Sequence, residues 1–214
     1  PDAFPVELIQ FIATHKKVLP YFDIPFQHAD QRVLQSMGRT GTKESYLALI
    51  EAIRKAVPEA VVRSTILLGY PGEDDAAFAE VLDFLSKAKL DWVGSFTYSR
   101  EEGTKAYKLR GEREHKKANK IAQTYQAQLQ ALQAPITHAN LQRFVGKEFE
   151  VLIEELVEGE DLAIGRMYAQ APEVDGLTVV VGRSLKPGRK VLCGIRSVNG
   201  LDLEAIPVQG AVHG

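Results

Sequence analysis

VVRSTILLGYPGE, residues 61–73, is an apolar run that ends in a glycine-rich turn. Val61, Val62, Ile66, Leu67 and Leu68 have the character of a buried strand, and Gly69-Tyr70-Pro71-Gly72 stops it. Arg63, Ser64 and Thr65 interrupt the run. A guanidinium keeps its charge at every physiological pH, and burying it unpaired costs several kcal/mol or more. The strand therefore has to present Arg63 to an anion.

Outward from this strand the chain alternates between the two regular structures. PVELIQFIATHKK before it has the apolar spacing of a short amphipathic helix, and VLPYFDIPFQ reads as a strand interrupted by Pro20 and Pro25. Thr42 can cap a helix through KESYLALIEAIRKAV. After the turn, Glu73, Asp74 and Asp75 suit the first turn of a helix whose Phe78, Val81, Leu82 and Leu85 form the buried face. DWVGSFTYS is a third strand. This β-α-β-α-β order predicts a parallel sheet, doubly wound or barrel-like.

Side chains alternate across a strand. Asp23 and Gln27 share one parity on the first strand and Arg63 and Thr65 on the second. On the third, Ser95, Thr97 and Ser99 stand opposite Gly94, Phe96 and Tyr98. A sheet covered by helices on both faces would be apolar on both. One polar face per strand predicts a barrel whose lumen receives a polar cofactor. The turns QHAD, GYPGE and YSREEGT follow the three strands, at the carboxyl ends where ligands of α/β folds bind.

Residues 113–144 turn helical and polar, with Ile121, Tyr125, Leu129 and Leu132 as one stripe that packs on the domain before it and Pro135 expected to kink or divide the helix. After Gly146 come five short segments rich in β-branched residues, EFEVLIEEL, DLAIGRMYAQAPEVD, LTVVVG, KPGRKVLCGIRSV and LDLEAIPV, a pattern that predicts a small antiparallel, OB-like β-barrel.

Composition excludes several classes. Of 214 residues, 45% are hydrophobic and 25% charged, the usual balance of a globular protein, and no run is long enough for a membrane helix. Cys193 is the single cysteine, so neither an internal disulfide nor a cysteine-bound cluster can form from this chain, and a cytoplasmic location is the expectation. From Lys147 onward 7 basic residues face 11 acidic ones, a net charge of −4 against +2 for the rest, which favours a basic partner over a phosphate backbone. No nucleophile elbow, P-loop or dinucleotide fingerprint is present. His15, His115, His138 and His213 receive no role, and Asp23 and Glu73 are an acid and base only if the fold brings them within reach of each other. The residues by themselves yield a polar-faced sheet, an acidic barrel and no chemistry.

YFDIPFQHADQRVLQSMGR, RSTILLGYPGE, FTYSREEGTKAY and AIGRMYAQAPEVDG, in this order, resemble the radical-SAM methylthiotransferases, over about Pro1 to Val208. The likeness is closest to the RimO type, which modifies an aspartate of a small-subunit ribosomal protein. The sister MiaB type, which thiomethylates a tRNA adenosine, usually carries a serine-glycine pair where this chain has QHAD, and its terminal barrel tends to be basic. Both differences favour a protein substrate over tRNA.

The resemblance implies that residues 1–110 are the C-terminal half of a partial TIM-like radical-SAM barrel, residues 111–146 a connecting helical segment, and residues 147–214 a TRAM-like β-barrel. It also implies S-adenosylmethionine as cofactor and two [4Fe–4S] clusters in the full-length enzyme. The six cysteines that hold them in the family are absent here, so activity is expected only with the N-terminal half, and this chain alone would be an inactive substrate-binding module. Asp23, Gln27, Arg63, Thr65, Ser95 and Thr97 would line the cofactor cavity, with His28, Tyr70 and Ser99 at its rim for the substrate. Arg63 would meet a carboxylate of cofactor or substrate; the competing expectation pairs it with Asp23. The acidic barrel would grip the basic ribosomal protein.

Overall fold

The computed structural model describes residues 3–208, which divide into two units at Ile136/Thr137. His213 lies outside them.

In the first unit, helix α1 (Val6–Thr14) leads to strand β1 (Tyr21–Asp23). Helices α2 (Gln31–Ser36) and α3 (Lys43–Ala56), strand β2 (Val61–Leu68), helix α4 (Asp75–Ala88) and strand β3 (Trp92–Thr97) follow. The helix starts are encoded locally. Thr42 and Ser45 form a reciprocal capping box at α3, and Asp74 caps α4 by accepting the Ala77 N–H. The strands form one sheet in the order β1-β2-β3, all parallel. β1 is shorter than its sequence suggests, because Pro25 cannot donate to a ladder; only Gln27 rejoins β2, as an isolated bridge to Ile66.

Pairing registers decide the faces. Phe22, Val62, Ser64, Ile66 and Leu68 turn toward the helices, where Phe26, Tyr46 and Phe84 meet at 4.7 and 5.4 Å between ring centroids. Helix α5 (Glu112–Leu141) covers the same core through Ala122, Tyr125 and Leu129, with Tyr125 stacked on Phe78 at 4.0 Å. Of the two expected outcomes at Pro135, division does not occur: the proline sits inside α5.

The second unit is a closed barrel of strands β4 (Glu148–Leu156), β5 (Leu162–Arg166), β6 (Thr178–Val181), β7 (Lys190–Asn199) and β8 (Asp202–Pro207), in the order β4-β5-β6-β8-β7. All five fall on the predicted segments. Four pairings are antiparallel, but β6–β8 is parallel, which corrects the expectation of an antiparallel barrel. β7 runs antiparallel to both β4 and β8, so the pair that closes the ring is left running in the same direction. Val151, Ile153, Ala163, Val180, Cys193, Ile195, Leu203 and Ala205 fill the interior.

Candidate functional site

On β2 the odd-numbered side chains share a face that the α-helical core does not occupy. The registers Asp23↔Arg63↔Trp92, Thr65↔Gly94 and Leu67↔Phe96 put these residues together. Arg63 is 8% exposed, and its Nη1 donates to Asp23 Oδ2 at 3.0 Å. The pairing with Asp23 weighed from the sequence is therefore present. Asp23 itself is half in solvent, its side chain 52% exposed, so the pair is open on one side. Across the strand Arg63 reaches over Gly94: a Cβ there would come within 3.1 Å of Arg63 Nη2 and 3.8 Å of Thr65 Oγ1. The bare glycine makes room for the guanidinium, and beyond it Phe96 is 61% exposed.

Ser64 explains the second polar residue of the opening run. Its Oγ, fully buried on the helix side, accepts the Phe26 N–H at 3.1 Å where the regular β1 ladder has stopped. A buried N–H without a partner would cost about 1–3 kcal/mol.

Ser95 and Thr97 are not on the Arg63 face. Ser95 pairs with Ile66 and Thr97 with Leu68, both core residues, and Gln126 of α5 donates to the Ser95 carbonyl at 2.8 Å and to its Oγ at 3.2 Å. The expectation of one shared lumen face is corrected for these two, and for Gln27, whose bridge is to Ile66 rather than to Arg63 or Thr65. Parity within a strand is legible in sequence, whereas the register between strands is not, and a one-residue offset exchanges the faces.

The strand ends hold the remaining expected residues. Gln27 has φ of 70°, a left-handed conformation that costs a side-chain-bearing residue energy and concentrates at functional sites. Its N–H bonds Thr65 O at 2.9 Å and its carbonyl accepts the Leu67 N–H at 2.8 Å, so the strain is held in place by β2. His28 and Tyr70 do not form an open rim. His28 is fully buried; its Nδ1 accepts the Asp30 N–H at 2.9 Å, which leaves Nε2–H to donate to Glu73 Oε1 at 3.0 Å. Glu73 Oε2 accepts the Gly69 N–H. Tyr70 is buried with Val33, Ala77 and Tyr98, and its hydroxyl donates to Ser36 O at 3.1 Å. Both side chains stabilise the turn from within. Ser99 is exposed and donates to Glu101 Oε1 at 2.6 Å.

Sequence reading missed the partner that fixes the GYPGE turn from the other side. Arg110 Nη1 donates to Gly69 O at 2.6 Å and Nη2 to Tyr70 O at 3.1 Å. Gly69, at φ 77°, also packs so closely on α5 that a Cβ would meet Ala122 at 2.8 Å. Arg110 lies in an irregular loop, where no periodicity signals a partner 41 residues away. Nearby His115 is pushed toward its neutral form by burial and by the charges of Arg110 and Arg100.

This face offers a buried guanidinium to an anion. Asp23 pairs with Arg63 and Glu73 with His28, so each carboxylate has a basic partner of its own rather than the other. Arg63, Thr65 and the cradle over Gly94 suit an extended ligand carrying a carboxylate. Iron–sulfur clusters do not fit this chain: Cys193 is buried in the barrel, its thiol pushed up to about 11 by burial, and among the described residues no group of three His, Cys, Asp or Glu side chains could hold a metal. Two cavities, of about 430 and 410 Å³, lie near α1 and at the β4–β5 hairpin and include none of the expected site residues. No helix among the described residues is long and apolar enough to cross a membrane.

Comparison with known proteins agrees with this two-part division. Residues 2–85 match the model of the Radical SAM superfamily, and residues 145–208 match that of the TRAM domain. The ribosomal protein uS12 methylthiotransferase RimO of Treponema denticola is 42% identical, over 97% of this chain and 48% of that protein. The protein of the same description from Thermodesulfovibrio yellowstonii is 38% identical over the same shares. Among solved structures, the radical SAM enzyme coproporphyrinogen III oxidase (HemN) of Escherichia coli superposes with a TM-score of 0.47 at 13% identity, covering 59% of this chain and 30% of that one. The chain spans about half the length of the curated relatives it matches.

Proposed function

We propose that this chain is the C-terminal half of a methylthiotransferase acting on an aspartate of ribosomal protein uS12, since its first unit matches the Radical SAM superfamily and its second the TRAM domain. The observation that carries this reading is the 42% identity to a uS12 methylthiotransferase across 97% of the chain. In this reading residues 1–110 complete a partial barrel begun by an N-terminal half, residues 111–146 connect it to the TRAM barrel, and that barrel takes up the rest.

S-adenosylmethionine, when bound, supplies the radical chemistry. The residues of this chain hold and orient it: Arg63 meets a carboxylate, with a charge-assisted bond typically worth about 1.5–3 kcal/mol. Asp23 positions Arg63 from β1, Thr65 lines the same strip, and Gly94 leaves it open. The iron–sulfur clusters belong to the N-terminal half, and this chain alone is inactive. Glu154, Glu155, Glu158, Glu160 and Asp161 are exposed on the β4–β5 hairpin and give the barrel a negative edge. That edge steers a basic ribosomal protein, with an affinity that falls as salt rises.

The test is an anaerobic assay of the full-length, cluster-loaded protein with uS12 and, separately, with tRNA. Mass spectrometry should find the methylthio group on a uS12 aspartate. Modification of a tRNA adenosine instead would replace this reading with the tRNA-modifying one, and no modification of either would remove it.

A further inference from the structure

Phe96, next to last in the edge strand β3, is 61% exposed, and an aromatic ring left in water is costly unless something covers it. Phe96 is on the same face as Arg63, since it pairs with Leu67 as Gly94 pairs with Thr65 and Trp92 with Arg63. The guanidinium of Arg63 lies over Gly94, two residues before Phe96. At the rise of a parallel strand, charge and ring are separated by about 7 Å along β3. Nothing bulky stands between them, because Gly94 has no side chain and Thr65 is small. The strip therefore offers two different recognition elements in line: a cation for a carboxylate at one end and a flat aromatic surface at the other.

Resting on the cofactor reading above, we propose that Phe96 stacks on the purine ring of the cofactor and so fixes which end of that molecule lies at Arg63. A purine presents a flat π face, and stacking on an aromatic side chain is worth about 1–3 kcal/mol per base. Its amino-acid end carries the carboxylate that Arg63 pairs with. In the cofactor the carboxylate and the flat ring are fixed on one small molecule, whereas a peptide meets both ends of the strip only where an acidic and an aromatic side chain happen to be suitably spaced. Phe96 is then a specificity-determining residue: it favours a ligand that carries the base over one that has the carboxylate alone.

Binding to the full-length, cluster-loaded protein separates the two ends. Dissociation constants are measured for S-adenosylmethionine, for methylthioadenosine (base without carboxylate) and for methionine (carboxylate without base). Phe96→Ala should weaken S-adenosylmethionine and methylthioadenosine about tenfold and leave methionine unchanged. Phe96→Trp should restore both, which a mere folding defect would not allow. Arg63→Ala should weaken S-adenosylmethionine and methionine and spare methylthioadenosine. If Arg63→Ala weakens S-adenosylmethionine while Phe96→Ala does not, the stacking role is overturned and the cofactor site stands. If neither substitution changes any constant, the cofactor site itself is lost. A Phe96→Ala effect confined to the KM of the protein substrate would assign the ring to the peptide and likewise overturn the proposal.

Discussion

The His28 ring and the Glu73 carboxylate meet at 3.0 Å with side-chain exposures of 0% and 1%, joining the loop after β1 to the turn after β2. The carboxylate also accepts the Gly69 N–H, so its charge is fully used inside the protein. Removing one partner of a buried pair leaves the other uncompensated. His28→Ala should destabilise the chain by about 3–5 kcal/mol in urea unfolding. Glu73→Gln, which keeps one acceptor oxygen, should cost about 1–3 kcal/mol. A loss under 0.5 kcal/mol for both would mean that the network contributes no stability.

Gly94→Ala would insert a methyl group 3.1 Å from Arg63 Nη2. Alanine in a strand interior is otherwise neutral or favourable relative to glycine. The variant should therefore keep its melting temperature within a few degrees yet weaken cofactor binding in the full-length protein severalfold, by moving the guanidinium. Unchanged binding would remove the cradle from the site.

Lys43 of α3 bonds Glu80 and Asp83 of α4, and Asp83 also accepts from Lys87. Hydrogen bonds from Lys43 first and Lys87 second hold the Asp83 carboxyl below its ordinary value. A depressed folded-state value means stability that is present above the unfolded carboxylate pKa, about 4, and lost as pH falls through the lower folded one. The urea midpoint of the chain should exceed that of Lys43→Met at pH 7, and the gap should narrow as pH falls from 4 toward 2.5. A constant gap would assign the effect to the lysine stem.

Two glycines of the barrel should respond in opposite ways. A Cβ on Gly176 would collide with the Leu201 carbonyl, so Gly176→Ala should cost about 1–3 kcal/mol. A Cβ on Gly194 meets nothing within 4 Å, and Gly194→Ala should be neutral or slightly stabilising. Thermal unfolding of the two variants compares them directly.

Elements whose signal is local were legible in the sequence. Thr42 caps the helix it was expected to cap, the acids Asp74 and Asp75 fall at a helix start as expected, and the five barrel strands lie on their predicted segments, because caps and turns are written in adjacent residues. Long-range pairing was not legible. The offset that pairs Ser95 with Ile66 moved Ser95 and Thr97 to the helix side and brought Gly94 and Phe96 to the face of Arg63. His28 looked like a rim residue because a strand end is usually open, and its burial depends on Glu73, 45 residues later. The parallel β6–β8 pair could not be read either, since nothing in two short apolar segments states their relative direction.

In the proposed function Arg63, held by Asp23 on the open face of the sheet, recognises the carboxylate of the cofactor. Calorimetric titration of S-adenosylmethionine into the full-length, cluster-loaded protein tests it most directly. Arg63→Ala should raise the dissociation constant about tenfold or more, and Arg63→Lys, which keeps the charge without the forked donors, by less. Equal dissociation constants for the parent protein and both variants would contradict the account.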